Sequence, residues 1–366
     1  MKITIDQSTL QKQLELVGKI ATKHVTLPVL QCVVFDVTES EVKIRATNLE
    51  IAVEVELENI QIEASGKVAV PAQTLLQTIQ FLNEKTVTLS VDTEGVLEIA
   101  TAKTTTTIKS IPYDEFPTIA KVEGTSVQVV RQQFLLGIKT AAFAASQSSI
   151  KPELGSVYIH QKKEHTLTFV ATDSFRLMEK TVSQKGLIFD TSILVPFKNA
   201  LELARMCEML DSDPELIVAD NQCALSFSEG VYITTRLVAG SFPDYESIIP
   251  KEYTTHTTVL KQDMQTAFKK TNVFLNKFRQ VKLSVAATSL EISSQNNDIG
   301  TVVDVISAQT EGDDLALSFN QQYIQDPLQY IHDESVVLHF AGIGRPLVMQ
   351  GVSDSTLRYL VMPMNK

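Results

Sequence analysis

The residue types that perform enzyme chemistry are present in this chain but are scattered along it. The histidines do not occur at the spacing of metal ligands: His24, His160, His165, His256, His332 and His339. The sequence has no GxSxG, HExxH, P-loop or GxGxxG motif, and Gly342-Ile343-Gly344 is a lone fragment typical of a hairpin bend. Asp173-Ser174 could suggest a nucleophile, but no histidine can be assigned as its base, and an Asp here more often caps a turn. We therefore expect no catalytic site, no metal site and no cofactor.

The cysteines are expected to be buried free thiols. They are odd in number, lack CxxC spacing and lie among apolar neighbours: Cys32, Cys207 and Cys223. The first residues, 1–7, are typical of a strand entering a helix, and no run has the length of a signal peptide or a membrane span. These features predict a cytoplasmic protein.

The net charge of −11 argues against a nucleic-acid partner, but the charge is unevenly distributed. Six predicted helices contain nine Lys and Arg against five Asp and Glu, which leaves −15 on the rest of the chain. These helices cover residues 8–20, 72–82, 131–143, 197–210, 261–273 and 320–332. We interpret the helices as polar, weakly basic surfaces; the alternative is chance partitioning of a small number of charges.

Apolar residues recur at helical spacing in these six segments and alternate between them. The helical sets are Leu10, Leu14 and Val17; Leu75, Leu76 and Ile79; Phe134, Leu135 and Ile138; Leu201, Leu203 and Ala204; Met264, Ala267 and Phe268; Tyr323, Ile324 and Leu328. Alternating segments such as Val87–Val91 and Val281–Val285 are typical of half-buried strands. The pattern predicts an α+β fold with helices on one face of antiparallel sheets.

The sequence repeats three times at a spacing of roughly 125 residues. Val70-Pro71 recurs as Val195-Pro196, and Ile111–Pro117 is matched by Val238–Pro243. We therefore expect three similar domains, at 1–124, 125–253 and 254–366, each large enough to have its own core. Strand-rich outer walls and weakly basic inner helices would suit a protein that encircles an anionic molecule without gripping it. A non-catalytic scaffold or adhesion array of three modules is the alternative.

Four segments in this order resemble the bacterial sliding clamps, the beta subunits of DNA polymerase III. The chain is similar to that family along its whole length, and the sharpest matches are Ala171–Leu177, Phe242–Tyr245 with Ile249-Pro250, Lys277-Phe278-Arg279 and Val361–Met364. The first is similar to the family pattern Thr-Asp-(Gly/Ser)-His-Arg-Leu, with Phe175 in the place of the histidine. Leu27–Leu30 is similar to the Leu-Pro-Ile-Leu segment of the family.

The resemblance implies a DNA clamp fold in which two protomers form a ring and twelve helices line a hole for duplex DNA. Helices about 10 Å wide would leave a hole of roughly 40 Å if twelve line it, against roughly 20 Å for six. The clamp would hold a replicative polymerase on DNA by topology and would have no catalytic site. Contacts to phosphate, blind to base sequence, are expected from Lys12, Lys19, Lys23, His24, Lys139, Gln147, Lys198, Arg205, Lys269 and Lys270.

By the same resemblance, the homodimer would join domain 1 of one protomer to domain 3 of the other. Ile108 would lie near Val273 and Phe274 across this head-to-tail interface, and Thr106 stands where the family has a larger apolar residue.

The resemblance also implies a groove that takes a short Gln-Leu-x-Leu-Phe-like peptide from the polymerase, the clamp loader and other clamp-binding proteins such as repair proteins. Its lining would be Leu154, Thr172, Phe175, Arg176, Leu177, Pro243, Ile248, Leu360, Met362, Pro363 and Met364. Unbranched methionines beside a proline suit an adaptable apolar pocket. The alternative for Met362 and Met364 is that they are core residues of a last strand.

Overall fold

The computed structural model describes residues 1–21, 26–148 and 150–364. Its helices are α1 (Gln7–Gly18), α2 (Ala72–Gln80), α3 (Arg131–Ala142), α4 (Phe197–Glu208), α5 (Lys261–Thr271) and α6 (Gln321–Gln325). Its strands are β1 (Lys2–Asp6), β2 (Cys32–Val37), β3 (Val42–Thr47), β4 (Ile51–Leu57), β5 (Gln61–Ala64), β6 (Gly66–Pro71), β7 (Thr86–Val91), β8 (Val96–Ala100), β9 (Thr105–Lys109), β10 (Thr125–Gln128), β11 (Ser156–His160), β12 (Thr166–Thr172), β13 (Arg176–Ser183), β14 (Ser192–Pro196), β15 (Glu215–Val218), β16 (Gln222–Ser226), β17 (Val231–Arg236), β18 (Thr255–Leu260), β19 (Gln280–Ala286), β20 (Ser289–Asn296), β21 (Gly300–Gly312), β22 (Leu315–Asn320), β23 (Ser335–Phe340), β24 (Leu347–Gly351) and β25 (Leu357–Val361).

The order of elements repeats three times, as the sequence predicts. Each repeat has a strand, a helix, four or five strands, a second helix and three more strands, so the repeats run from β1 to β9, from β10 to β17 and from β18 to β25. The strand pairs of the described residues are antiparallel. The α+β prediction is confirmed. In the described part of the chain, no helix is long and apolar enough to span a membrane.

The predicted helices are present, and each begins within one residue of its predicted start. In α1, the first turn is capped by Asp6, whose Oδ1 accepts a hydrogen bond of 3.0 Å from the Thr9 amide. The apolar stripe of this helix, Leu10, Leu14 and Val17, is fully buried, as expected of a helix that packs one face on a sheet. Leu201 departs from the prediction, because its side chain is 45% exposed on α4.

The prediction for α6 is wrong beyond Gln325, because the chain continues as a 3-10 turn over Asp326–Gln329. Pro327 has no N–H to donate to the carbonyl four residues earlier, that of Tyr323. That carbonyl instead accepts a hydrogen bond of 2.7 Å from the Tyr359 hydroxyl. A side chain from β25 therefore satisfies the acceptor that the proline leaves open.

The first of two compact units, unit 1, comprises residues 1–135 and 201–237 and has two sheets. Their strand orders are β5-β1-β7-β8-β9 and β10-β15-β16-β17-β4-β3-β2-β6. In the larger sheet, β4 of the first repeat pairs with β17 of the second, with Ile51 opposite Thr235. The sheet is therefore continuous across two repeats.

The second unit, unit 2, comprises residues 136–200 and 238–366 and has one twelve-stranded sheet. Its strand order is β14-β11-β12-β13-β25-β24-β23-β18-β21-β20-β19-β22. Here β13 of the second repeat pairs with β25 of the third, with Arg176 opposite Val361. Close packing against α3 depends on Gly137, since a Cβ there would lie 2.2 Å from the ring of Phe169.

Candidate functional site

A tight turn between β12 and β13 presents an apolar side chain at the surface of unit 2. The Thr172 hydroxyl donates to the Arg176 carbonyl at 2.7 Å, and Asp173 Oδ1 accepts from the amides of Phe175 and Arg176 at 2.9 and 3.0 Å. These bonds hold Ser174 at φ 77°, a left-handed conformation in which side chains are uncommon. The turn leaves Phe175 60% exposed.

Beside this turn, the sheet supplies an apolar floor. Leu177 on β13 lies directly opposite Leu360 on β25, and Leu360 lies opposite Val348 on β24. These three side chains form one buried cluster with Val170 and Tyr245. Burial of the cluster holds four adjacent strands and a covering segment together at one place.

The covering segment runs from Phe242 to Ile249 and is fixed by aromatic and polar contacts. Phe242 stacks on Tyr158 with ring centroids 4.8 Å apart. Tyr245 donates a hydrogen bond of 2.8 Å from its hydroxyl to Oε2 of the buried Glu179. Burial and this carboxylate raise the pKa of Tyr245, which keeps the hydroxyl a neutral donor. Ile248, in the 3-10 turn of this segment, remains 49% exposed.

The residues after β25 leave the sheet and run beside the turn. The Met362 amide donates to the Phe175 carbonyl at 2.8 Å, and the Met364 amide donates to the Ser318 carbonyl at 2.7 Å. Met362 is 37% exposed, and Pro363 and Met364 are half-buried. The last strand ends at Val361, so the two methionines are not strand residues.

Arg176 was predicted to line the groove, but its guanidinium group is engaged elsewhere in unit 2. Its nitrogens lie 2.5 Å from Asp326 Oδ2 and 3.1 Å from both Asp173 Oδ2 and the Phe143 carbonyl oxygen. The guanidinium also lies over the ring of Tyr323, 4.6 Å from its centroid. The charge of Arg176 is therefore neutralised within the protein.

The remaining predicted lining residues differ in exposure. Leu154 and Thr172 are nearly buried, at 7% each, whereas Pro243 is exposed. The residues that sequence reasoning missed are Val170, Val348 and Tyr245, which complete the floor. Alternation does not mark them: Val170 shares a face of β12 with Thr168 and Thr172, and Val348 lies in the apolar run that begins β24. Only the strand register and the burial show that they meet.

The basic residues predicted to contact DNA fall into two groups. Five are exposed and lie on helices or directly after one: Lys12, Lys19, Lys139, Lys198 and Lys269. Gln147 is exposed in the loop after α3. Lys23 and His24 lie outside the described residues.

Arg205 and Lys270, the remaining predicted cations, are held by ion pairs within the protein. The Arg205 Nη2 atom lies 2.9 Å from the Leu16 carbonyl oxygen and 2.5 Å from Glu202 Oε1, so it binds the last turn of α1. The Lys270 ammonium lies 2.7 and 2.8 Å from the two carboxylate oxygens of Asp304.

Several strands have an edge without a strand partner in the described part of the chain, and β9 and β21 are two of them. In unit 1, β9 is the last strand of the five-stranded sheet and contains Ile108, which is only 6% exposed. In unit 2, residues 300–307 of β21 pair with β20 alone, and Val303 and Val305 are 59% and 61% exposed. Of the residues predicted at the dimer interface, Val273 is 61% exposed and Phe274 is half-buried.

Neither a metal centre nor a reactive thiol is found in the described residues. No group of three or more His, Cys, Asp or Glu side chains could hold a metal ion there. Burial raises the pKa of Cys32, Cys207 and Cys223 to about 12, so these thiols stay protonated near neutral pH.

Comparison with known proteins identifies the family to which the three repeats belong. Three family models match in order: the N-terminal domain of the DNA polymerase III beta subunit at residues 1–120, its central domain at 128–244 and its C-terminal domain at 246–365. The chain belongs to the bacterial sliding clamp family. The beta sliding clamp of Pseudomonas putida is 28% identical over 371 residues, with both chains covered completely. The clamp of Bacillus subtilis is 26% identical over 378 residues, covering 100% of this chain and 99% of the relative.

Solved clamp structures agree with this assignment. The DNA polymerase III beta subunit of Thermotoga maritima has a TM-score of 0.94 at 25% identity, covering 100% of this chain and 99% of that one. The Bacillus subtilis sliding clamp has a TM-score of 0.92 at 26% identity, with the same coverage. The clamp fold implied by the resemblance is confirmed, and a scaffold or adhesion protein is not favoured.

Proposed function

We propose that two copies of this chain join head to tail into a ring that encircles duplex DNA and tethers a polymerase to it. The observation that carries the proposal is the ordered match of all three clamp domains along the chain. Processivity would come from topology, since a closed ring cannot leave circular DNA without opening. The clamp itself has no catalytic role and needs no cofactor. Three domains at 1–124, 125–253 and 254–366, and a cytoplasmic location, are part of the proposal.

DNA contact is assigned first to the exposed lysines on or directly after helices. Lys12 and Lys19 stand seven residues apart, so they project from one side of the helical path begun by α1. Contacts of this kind are salt-sensitive and independent of base sequence, which permits sliding. Lys23, His24 and Gln147 remain candidates, whereas Arg205 and Lys270 would have to exchange protein partners for phosphate.

The dimer would use the unpaired strand edges. A free edge on β9 of one protomer and a free edge on β21 of the other can extend one sheet by antiparallel pairing, and two such contacts close a ring. Because Ile108 is buried within its own protomer, the better test is Val303→Asp with Val305→Asp on the exposed edge. Sedimentation should show monomers for this variant and dimers for the control Val352→Asp, which changes a valine that is equally exposed, at 61%. Dimers from both would contradict the assignment.

Docking of partner proteins is assigned to the groove built around Leu177 and Leu360. Phe175, Ile248 and Met362 expose apolar surface along it, and unbranched methionines adapt to different apolar side chains. The polymerase, the clamp loader and other proteins with a short apolar motif would compete for this groove.

The ring is tested by retention on circular and linearised plasmid after loading with a competent clamp loader and ATP, at moderately high salt. Protein retained on circles but lost from linear DNA would establish a topological clamp. Equal, salt-sensitive binding to both forms would indicate an ordinary DNA-binding surface. Binding to neither would overturn the proposal.

A further inference from the structure

The turn that presents Phe175 in unit 2 has a second copy in unit 1. The Thr47 hydroxyl donates to the Ile51 carbonyl at 2.9 Å, and Asn48 Oδ1 accepts from the amides of Glu50 and Ile51 at 3.0 and 2.8 Å. Leu49 has φ 75°, against 77° at Ser174. The two turns therefore have the same pattern of hydrogen bonds, and each has a residue in the left-handed conformation at its third position.

The strand that follows each turn is also paired in the same way. The amide of Arg236 donates to the Glu50 carbonyl at 2.9 Å, as the Met362 amide does to Phe175 in unit 2. Unit 1 therefore has Glu50 in the position of Phe175 and Arg236 in the position of Met362.

A cavity of about 190 Å³ lies beside the unit 1 turn. Its lining includes Leu49, Pro117, Ile119, Thr234 and Arg236. The volume is below the roughly 300 Å³ of the smallest drug-sized sites, so it suits one side chain rather than a small-molecule ligand. Leu49 is 39% exposed, so part of its apolar side chain faces the surface. Its left-handed backbone is strained for a leucine, and strain of this kind is concentrated at binding sites.

Charge indicates what would occupy the cavity. The Nε atom of Arg236 donates to the Leu49 carbonyl at 2.9 Å, and its terminal nitrogens have no partner within the described residues. Glu50 also lines the cavity, is exposed and has no ion-pair partner in the same part of the chain, so the site favours an acidic residue only where that residue lies beside Arg236. An extended peptide with one apolar side chain beside an acidic one would fill the cavity and pair with Arg236.

We propose that the cavity bounded by Leu49, Ile119 and Arg236 is a second docking site, specific for a short peptide of a partner protein in which an acidic residue neighbours an apolar one. It rests on the proposed function, because peptide docking in unit 2 supplies the model for it. Each protomer would then dock two peptides, with the smaller and more polar site in unit 1.

The test uses the full-length clamp and a synthetic peptide, Gln-Leu-Asp-Leu-Phe, with a benzophenone group on the last residue. After photocrosslinking, mass spectrometry maps the adducts. Adducts in 47–52, 117–120 or 234–236 are expected in addition to adducts in 172–177, 243–248 or 360–364. Arg236→Glu should reduce the unit 1 adduct about fivefold and leave the unit 2 adduct unchanged. The matched control Lys85→Glu reverses another exposed cation of unit 1 and should change neither.

Leu49→Gly provides a variant that should not harm the fold, since glycine adopts φ 75° without strain. It should also reduce the unit 1 adduct. Adducts in unit 2 alone would overturn the second site and leave the proposed docking groove standing. Adducts in unit 1 alone would support the second site and overturn that groove, and adducts in neither would overturn both.

Discussion

Two turns of this molecule share the same hydrogen bonds between side chains and backbone but border surfaces of different chemistry. In both turns, Thr47–Ile51 and Thr172–Arg176, a threonine hydroxyl donates to a backbone carbonyl. The side-chain oxygen of the next residue, Asn48 in one turn and Asp173 in the other, accepts from a backbone amide. The floors beside them differ: Ala52 lies opposite Thr234 in unit 1, whereas Leu177 lies opposite Leu360 in unit 2. The Thr-Asx pattern therefore determines the backbone shape of the turn, while the flanking side chains determine what the surface can bind.

The largest effect is expected from removing the apolar floor of unit 2. Leu177→Ala gives this turn the alanine that unit 1 has at Ala52, and it opens a cavity where the leucine is now 0% exposed. The free energy of unfolding should fall by about 3 kcal/mol, as measured by urea denaturation.

Leu260→Ala is the control for this change, since Leu260 is 51% exposed on β18, and its loss should stay within about 0.5 kcal/mol. Similar losses for both variants would mean that Leu177 has no special place in the packing of unit 2.

The second effect concerns peptide docking. Met362→Asp with Met364→Asp places two carboxylates at a groove whose counterpart in unit 1 already carries a charge at Arg236. Affinity for a fluorescent Gln-Leu-Asp-Leu-Phe peptide should fall by about 100-fold, because the apolar contacts are replaced by groups that must lose water and that repel the aspartate of the peptide.

Val352→Asp, which adds a carboxylate to an exposed hairpin of unit 2, should leave the affinity unchanged. Undiminished affinity in the double variant would move docking away from the C-terminal residues.

These differences show what the sequence can and cannot predict. The repeat, the helix starts and the turn residues follow from local patterns, because caps and turns depend on neighbours within a few residues. The bond from Arg176 to Asp326 joins residues 150 positions apart, so no local pattern indicates it. The groove was predicted from resemblance, and its completion by Val348 and Tyr245 depends on strand register and long-range packing.

Ile108 illustrates the same limit in unit 1. Its place at the dimer interface is implied by the resemblance to sliding clamps, but its burial within its own protomer depends on the neighbouring strand β8, where it lies opposite Leu97. Alternation assigns a side chain to a face of a sheet and does not say which chain covers that face.

The two units should also differ in how their stability depends on pH. His339 lies opposite His256 across β23 and β18, on the face that also carries the floor, and Tyr253 packs against both rings. Burial and His256 lower the pKa of His339 to about 4, below the value of about 6.5 in an unfolded chain. Between these values the unfolded chain binds the proton more readily, so stability is lost as pH falls through this window and regained above it.

The loss between pH 7 and 4.5 should be about 2 kcal/mol and should be absent in His339→Phe. Urea denaturation of both proteins at the two pH values measures it, and their difference removes the shared titration of carboxylates. Unit 1 contains a single histidine, His24, so exchange-resolved unfolding should locate the effect in unit 2. Parallel pH curves for the two proteins would contradict the role of His339.

The smallest expected effect is a change in stability when the left-handed residue of either turn is replaced. A leucine in this conformation is strained by roughly 1 to 2 kcal/mol, and glycine relieves the strain but adds freedom to the unfolded chain. Leu49→Gly should therefore stabilise the protein by about 0.5 to 1 kcal/mol. Ser174→Gly should gain less, because a short polar side chain tolerates the turn better. Thermal denaturation of both variants measures the difference, and destabilisation by Leu49→Gly would show that the leucine side chain contributes packing that outweighs its backbone strain.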